Sequence, residues 1–110
     1  MLKIMKELKT IEELDKLLTE QDSTLAIVKV GAHWCGPCKM LQRTISEIEP
    51  TLEGVEFYAV DVDEADEELV ERFQVQSVPV LLFFNEGLQV DRVLGARSKS
   101  DLLEIINKNK

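Results

Sequence analysis

The sequence has few cysteines, histidines and aromatic residues, and these shortages exclude several classes of protein. It contains two cysteines and one histidine among 110 residues. A disulfide framework needs several cysteine pairs and a structural zinc site needs four ligands, so we expect neither. No apolar run approaches the roughly 20 residues of a membrane span. The first residues, MLKIMKELK, lack the apolar segment of a secretory signal. We therefore expect a cytoplasmic protein that binds no metal and enters no membrane.

Positive charge is also scarce, because 21 acidic residues accompany 13 basic ones and the net charge is −8. Phosphate backbones repel such a protein, so we expect no binding to nucleic acid. Apolar residues make up 45 % of the chain and charged residues 31 %, a balance typical of a folded protein. At this length we expect one domain spanning residues 1–110, and a monomer.

Apolar periodicity predicts that strands and helices alternate along most of the chain. Such alternation implies parallel strand pairs, and a terminal hairpin adds an antiparallel strand. We therefore expect an α/β fold with a central mixed β-sheet of four to five strands and helices on both faces. The predicted elements are a possible strand at Lys3–Lys6, a helix from a capping box at Thr10–Glu13 to near Gln21, a strand at Leu25–Val30, a turn at Gly31–Trp34, a helix from Cys35 to Pro50 or Leu52, a strand at Val55–Val62, a helix at Asp66–Phe73, hairpin strands at Val80–Phe84 and Leu88–Leu94, and a helix capped by Ser98.

The two cysteines stand three positions apart, where a strand is expected to end and a helix to begin. Such a pair can bind a metal, fix a loop or exchange electrons, and His33 alone cannot complete a zinc site. At a helix N-terminus, free N–H groups and the helix dipole stabilise the Cys35 thiolate. Cys38 lies one turn further on the same face, within disulfide reach. Pro37 suits the first helical turn because it has no N–H to lose. The pattern favours a redox-active pair.

A second segment, Ser77-Val78-Pro79, precedes an apolar strand and could lie beside the cysteines. A proline that enters a strand is ordinarily trans, and the residues alone favour that conformation. A cis bond would instead turn the backbone groups of Val78 outward, where an extended substrate could bind.

Four segments in this order resemble the thioredoxin family, and the resemblance covers nearly the whole chain. They are Trp34-Cys-Gly-Pro-Cys-Lys39, Asp61-Val-Asp63, Val78-Pro-Val80 and Gly95-Ala96. The first is highly specific, and a CxxC pair near a βαβ pattern is a known sign of this fold. The resemblance implies a thioredoxin fold and a cis bond before Pro79. It also implies an apolar docking surface for partner disulfides, formed by Trp34, Gly36, Pro37, Val78, Pro79 and Gly95.

The resemblance further implies disulfide reduction by thiol–disulfide exchange. Cys35 would attack a disulfide of a partner protein, and Cys38 would resolve the mixed disulfide. The Gly-Pro pair between the cysteines is typical of reducing members of the family. A flavoprotein thioredoxin reductase would restore the dithiol, and no cofactor besides the Cys35–Cys38 disulfide is implied.

Lys29 departs from the family pattern, which has a buried aspartate at this position beneath the second cysteine. Gly31 stands where an aromatic residue is usual, Ala59 where a lysine is usual, and Arg43 where a helix-kinking proline is usual. Because Lys29 and Gly31 share one strand face, the missing aromatic ring would leave room for the lysine and for water. An ammonium there would stabilise a Cys38 thiolate, whereas a neutral amine could accept its proton. Lys29 could equally extend to solvent or pair with an acid such as Asp61.

His33 and the direction of electron flow also leave alternatives open. His33 could favour the Cys35 thiolate as a cation, or be an exposed loop residue without a catalytic role. The chain could be a protein-disulfide reductase, or a specialised or more oxidising relative tuned by Lys29. It could also be a module that binds a partner on its apolar face, with the cysteines secondary.

Overall fold

The computed structural model describes residues 5–110 and has a five-stranded mixed sheet in the order β1-β3-β2-β4-β5. This architecture confirms the predicted α/β fold. Its strands are β1 (Lys6–Glu7), β2 (Leu25–Gly31), β3 (Val55–Asp61), β4 (Val80–Asn85) and β5 (Leu88–Leu94). Its helices are α1 (Ile11–Glu20), α2 (Gly36–Ile48), α3 (Glu67–Phe73) and α4 (Lys99–Asn109), with a 3-10 turn at Glu49–Thr51 after α2.

Strand β2 is the centre of the sheet and explains the apolar run that precedes the cysteines. It pairs in parallel with β3 and antiparallel with β4. The parallel pair β1–β3 and the antiparallel pair β4–β5 form the two edges. A central strand is covered on both faces, which requires apolar residues at successive positions. Lys29 is the one residue of β2 that is not fully buried.

The two faces of the sheet are packed by different helix pairs. Side chains alternate along each strand, so odd and even positions of β2 point to opposite faces. Ala26, Val28 and Val30 pack with α1 and α3. Leu25 and Ile27 pack with α2 and α4. By the same alternation Lys29 and Gly31 lie on the α2 face, as the sequence predicted.

Local signals set most helix ends, and several predicted boundaries shift slightly. Thr10 and Glu13 form the expected capping box, with the Glu13 N–H donating to Thr10 Oγ1 at 3.1 Å. Ser98 caps α4 by accepting from the Asp101 N–H at 3.1 Å. Helix α3 begins at Glu67, because Asp66 is its N-cap residue, although the Asp66 side chain makes no capping hydrogen bond.

Strand boundaries also differ by one or two residues from the prediction. Gly31 belongs to β2 and not to the following turn, because it pairs with Asp61. β3 ends at Asp61, and β4 extends to Asn85, where it pairs with Leu88. Residues 3 and 4 of the possible first strand lie outside the described residues, and the observed strand is Lys6–Glu7. No helix within residues 5–110 is both long and apolar enough to cross a membrane.

Candidate active site

Cys35 and Cys38 form a disulfide at the N-terminus of α2, with their Cα atoms 5.2 Å apart. Cys35 is the N-cap residue, and its Sγ accepts a hydrogen bond from the Cys38 N–H at 3.2 Å. Pro37 occupies the first turn, as predicted. The helix therefore directs a backbone N–H at the sulfur of Cys35, where negative charge would develop on reduction. Both cysteines are buried to nearly the same extent, with 5 % and 3 % of their surface exposed.

One side of the disulfide is bordered by the segment around the cis peptide bond. The Val78–Pro79 bond is cis, as the family resemblance implied, so the trans conformation favoured by the residues alone is wrong. The carbonyl oxygen of Val78 lies 3.9 Å from Cys35 Sγ. The Gly95 N–H donates to the Pro79 carbonyl at 2.9 Å, which joins the two loops beside the disulfide.

We use the name front surface for the six residues that were predicted to bind partners. Trp34 is 64 % exposed, Gly36 and Pro37 are also exposed, Val78 and Gly95 are half-buried, and Pro79 is buried. Val78 packs against the cluster formed by Ala32 and the two cysteines. The front surface comprises Trp34, Gly36, Pro37, Val78, Pro79 and Gly95.

Trp34 is held by a hydrogen bond that the sequence reasoning did not anticipate. Its indole Nε1–H donates to Asp63 Oδ2 at 2.7 Å. Asp63 is itself positioned by its own N–H, which donates to Asp61 Oδ1 at 2.8 Å. From sequence, the Asp61-Val-Asp63 segment is part of the family pattern and Asp61 is a possible partner of Lys29, but neither interpretation links Asp63 to Trp34. Its position at the end of β3, beside β2, is the signal that could have indicated contact with Trp34.

An open cleft of about 530 Å³ reaches the disulfide from the other side, and we name it the rear cleft. Cys38 lines it, and Cys35 does not. Gly31 creates this access, because a Cβ at position 31 would lie 3.2 Å from Cys38 Sγ. The rear cleft is lined by Met5, Glu7, Lys29, Gly31, Ala32, His33, Cys38, Lys39, Gln42, Ala59, Val60 and Asp61.

Lys29 extends into the rear cleft, and its nearest partner is a residue the sequence reasoning missed. The ammonium Nζ donates to Gln42 Oε1 at 2.6 Å, rather than forming an ion pair with Asp61. Gln42 lies one helical turn after Cys38, and this i, i+4 spacing is the signal that could have identified it. Burial lowers the pKa of the Lys29 ammonium, and the negative charges of Asp61 and Glu7 act in the opposite direction. The predicted strand neighbour, Ala59, does pair with Lys29 in the sheet.

His33 lies at the end of β3 beside Asp61, at the margin of the rear cleft. Its Nδ1 lies 3.5 Å from Asp61 Oδ2, and 70 % of its side chain is exposed. Ligand atoms of His33, Asp61 and Asp63 lie within 4.8 Å of one another, close enough to share a cation. However, both carboxylates already accept hydrogen bonds, from the Asp63 N–H and from Trp34.

Comparison with known proteins places this site in a family. A sequence profile of the thioredoxin family matches residues 6–108. The thioredoxin of Mycoplasmoides gallisepticum is 33 % identical over 102 residues, which are 93 % of this chain and 99 % of that protein. A thioredoxin H-type of Oryza sativa subsp. indica is 35 % identical over 100 residues, covering 89 % of this chain and 80 % of that protein.

Solved structures agree with the sequence relatives. The thioredoxin of Fasciola hepatica superimposes with a TM-score of 0.87 at 35 % identity, covering 96 % of this chain and all of that one. A Plasmodium falciparum thioredoxin superimposes with a TM-score of 0.84 at 33 % identity, over 96 % of this chain and 100 % of that chain. The chain therefore belongs to the thioredoxin family and is a thiol–disulfide oxidoreductase.

Proposed function

We propose that the chain reduces disulfides of partner proteins, with Cys35 as the nucleophile and Cys38 as the resolving thiol. The observation that carries this assignment is the N-cap position of Cys35, whose sulfur accepts the Cys38 N–H at the start of α2. The same N–H and the helix dipole stabilise a thiolate at Cys35 once the disulfide is reduced. Cys35 also adjoins the exposed Trp34, Gly36 and Pro37, so a partner disulfide approaching the front surface meets it first.

The exchange proceeds in two balanced steps. The Cys35 thiolate attacks one sulfur of the partner disulfide, a bond forms between them, and the other partner sulfur leaves as a thiolate. Cys38 then loses its proton and attacks Cys35 Sγ. The mixed disulfide breaks, and the second partner sulfur leaves as a thiolate. The two leaving thiolates take up protons from solvent, one of them replacing the proton that Cys38 released. The partner thereby gains two electrons and two protons, and the chain returns to its Cys35–Cys38 disulfide.

Lys29 is proposed to assist the second step from the rear cleft. Gln42, one helical turn after Cys38, accepts a hydrogen bond from the ammonium, and all three residues line the cleft that Gly31 leaves open. A positive charge there favours the Cys38 thiolate that must form before resolution. Asp61 and Glu7 favour the charged form of Lys29, against the effect of burial. His33 is proposed to have no role in tuning the cysteines, because its imidazole lies beside Asp61.

The front surface would receive disulfide-containing proteins, with Val78 and Gly95 supporting the segment next to the target cysteine. Electrons would come from a flavoprotein thioredoxin reductase, and no cofactor beyond the cysteine pair is required. We expect the chain to act as one domain and as a monomer in the cytoplasm, where thiols are kept reduced.

An insulin reduction assay with dithiothreitol tests this function. Wild type should accelerate reduction, and Cys35→Ser should reduce the rate to that of dithiothreitol alone. A wild type that binds a partner but does not accelerate reduction would instead favour a binding module. The reduction potential of the Cys35–Cys38 pair then decides the direction, because about 30 mV shifts the two-electron equilibrium tenfold. A potential near those of disulfide isomerases would favour an oxidising relative.

A further inference from the structure

A groove with two arginines lies beside the active-site helix and is distinct from the rear cleft. It has a volume of about 380 Å³. Met40, Arg43 and Thr44 contribute one wall, because their i, i+3, i+4 spacing places them on one face of α2. The loop between β5 and α4 contributes the other wall. We name it the arginine groove, lined by Met40, Arg43, Thr44, Ala96, Arg97 and Ser98.

Among the described residues, neither guanidinium group in this groove has a partner. Within residues 5–110, neither Arg43 nor Arg97 donates a side-chain hydrogen bond or forms an ion pair. No acidic residue lines the groove. Arg97 also borders a neighbouring cleft with Asp101 and Glu104, but it pairs with neither. In a chain with a net charge of −8, this groove is thus lined by two unpaired arginines, although Asp91, Asp101 and Glu104 lie along the neighbouring cleft that Arg97 also borders.

The arginine groove is continuous with the front surface. Ala96 directly follows Gly95, whose N–H is bonded to the Pro79 carbonyl. Met40, which is 66 % exposed, lies two residues after Cys38 on the same helix. Arg43 follows Cys35 by eight residues, or about 12 Å along the helix axis. An extended peptide advances roughly 3.3 Å per residue, so about four residues span that distance.

We propose that the arginine groove selects partner proteins that carry acidic side chains three to four residues from the cysteine under attack. Guanidinium groups bind carboxylates with paired N–H donors, and Met40 offers an adaptable apolar contact beside them. The proposal rests on the disulfide reductase activity, because the acidic residues are positioned by the target cysteine at Cys35. It adds a specificity determinant on the face of α2 that extends beyond the disulfide.

Two peptide disulfides test this selection in single-turnover reactions with pre-reduced protein. Each is a symmetric dimer of a peptide with a single cysteine. The first peptide has Glu at the third and fourth positions on each side of the cysteine, and the second has Gln at the same positions. Acid-quenched samples give the rate of protein oxidation. We expect wild type to oxidise about three to ten times faster with the Glu peptide, a range consistent with two exposed charge contacts. This preference should fall at 1 M salt, where screening is strong.

The double variant Arg43→Gln/Arg97→Gln should bring the ratio of the two rates close to one. Lys16→Gln removes an exposed positive charge on α1 and should preserve the ratio of the wild type. This control distinguishes an effect of the groove from an effect of the net charge. Equal rates for the two peptides with wild type, or an unchanged ratio in the double variant, would overturn the proposal. Failure of wild type to react with either peptide would overturn the reductase function and this proposal together.

Discussion

The two sides of the Cys35–Cys38 disulfide are formed by residues of different chemical character. The front surface combines an exposed indole, a cis-proline segment and glycine backbone around Cys35. The rear cleft combines a lysine, a glutamine and carboxylates around Cys38. Both cysteine residues are almost equally buried, so residue exposure alone does not distinguish them.

This difference is consistent with the separate roles that we propose for Cys35 and Cys38. The front surface offers backbone and apolar contacts, which suit a protein partner whose disulfide must be positioned. The rear cleft offers charge and access for water, which suit the removal of a proton. Substitutions on the front should therefore alter the first exchange step, and substitutions at the rear should alter the second.

The largest expected effect comes from replacing each cysteine in turn. Cys38→Ser should accumulate a mixed disulfide between Cys35 and a partner peptide, because the first step remains and the resolving thiol is lost. Cys35→Ser should form no mixed disulfide, since its remaining thiol lies on the rear side. Mass spectrometry of acid-quenched reactions measures both species. Mixed disulfide formed readily through Cys38 in Cys35→Ser would contradict the assignment of front and rear.

A side chain at position 31 should slow resolution more than attack. Gly31→Phe would fill the rear cleft and bring a Cβ to 3.2 Å from Cys38 Sγ. Excluding water disfavours the Cys38 thiolate, so we expect mixed-disulfide decay to slow about tenfold, equivalent to about 1.4 kcal/mol. Stopped-flow kinetics resolves the two steps.

Ala59→Leu fills the same cleft from the neighbouring strand. It excludes water without placing a Cβ against Cys38, so it distinguishes the effect of excluding water from the effect of direct contact. It should also slow decay, although less than Gly31→Phe does. Unchanged decay in both variants would mean that the rear cleft plays no part in resolution.

The pH dependence of the stability of the oxidised protein should report the cost of burying the charged Lys29 side chain. Burial lowers its pKa in the folded state, so the unfolded state binds more protons in the interval below about 10.4. The contribution of Lys29 to the free energy of unfolding therefore increases with pH. At lower pH, where Lys29 is charged in both the folded and the unfolded state, burial of the charge destabilises the folded state most. Lys29→Met should be more stable than wild type at pH 7, because methionine carries no charge that burial would penalise. This advantage should diminish as pH approaches 10.4.

Urea unfolding from pH 6 to pH 10 measures this difference, and the disulfide keeps the cysteines from titrating. Lys16→Met is the matched control, because Lys16 is exposed on α1, and its stability difference from wild type should not change with pH. An advantage of Lys29→Met that grows with pH would contradict the expected sign.

The smallest expected effect concerns the support of Trp34. Asp63→Ala removes the acceptor of the indole N–H, so Trp34 loses its fixed orientation on the front surface. We expect reduction of a protein substrate to slow by about twofold to fivefold, or about 0.4–1 kcal/mol, the lower part of the range for one hydrogen bond, because this contact is exposed to water. Asp66→Ala removes an equal charge nearby and should leave the rate unchanged. Equal rates for Asp63→Ala and wild type would show that the contact does not support docking.

The sequence predicted the order of elements because each has a strong local signal. The Thr10–Glu13 capping box, the apolar β2 and the Asn85–Gly87 turn are all read from neighbouring residues. The register of β2 was also accessible, since side-chain alternation predicted that Lys29 and Gly31 share a face. The end of β2 was missed because pairing with Asp61 extends this strand to Gly31. β3 was predicted one residue too long, because Val62 continues its apolar pattern beyond the last paired residue, Asp61.

Contacts across the site were harder to predict from sequence. Trp34 and Asp63 are 29 residues apart, and Lys29 and Gln42 are 13 residues apart, so no local pattern joins them. The cis bond before Pro79 was expected only from the family resemblance, because residues alone favour trans. Lys29 departs visibly from the family pattern, but its partner could not be predicted. Opposite charge favoured Asp61, whereas the fold places Gln42 within hydrogen-bond distance.

The most direct test is the thiol pKa of Cys38 in the reduced state, with and without Lys29. Cysteine labelled with ¹³C at Cβ reports each thiol by NMR, and the Cys35→Ser background lets Cys38 titrate alone. If the Lys29 ammonium stabilises the thiolate, Lys29→Met should raise the pKa of Cys38 by about one unit, and Lys29→Asp should raise it further. In the Cys38→Ser background, the pKa of Cys35 should move less. A Cys38 pKa that is the same with Lys, Met or Asp at position 29 would contradict the proposed role of the rear cleft.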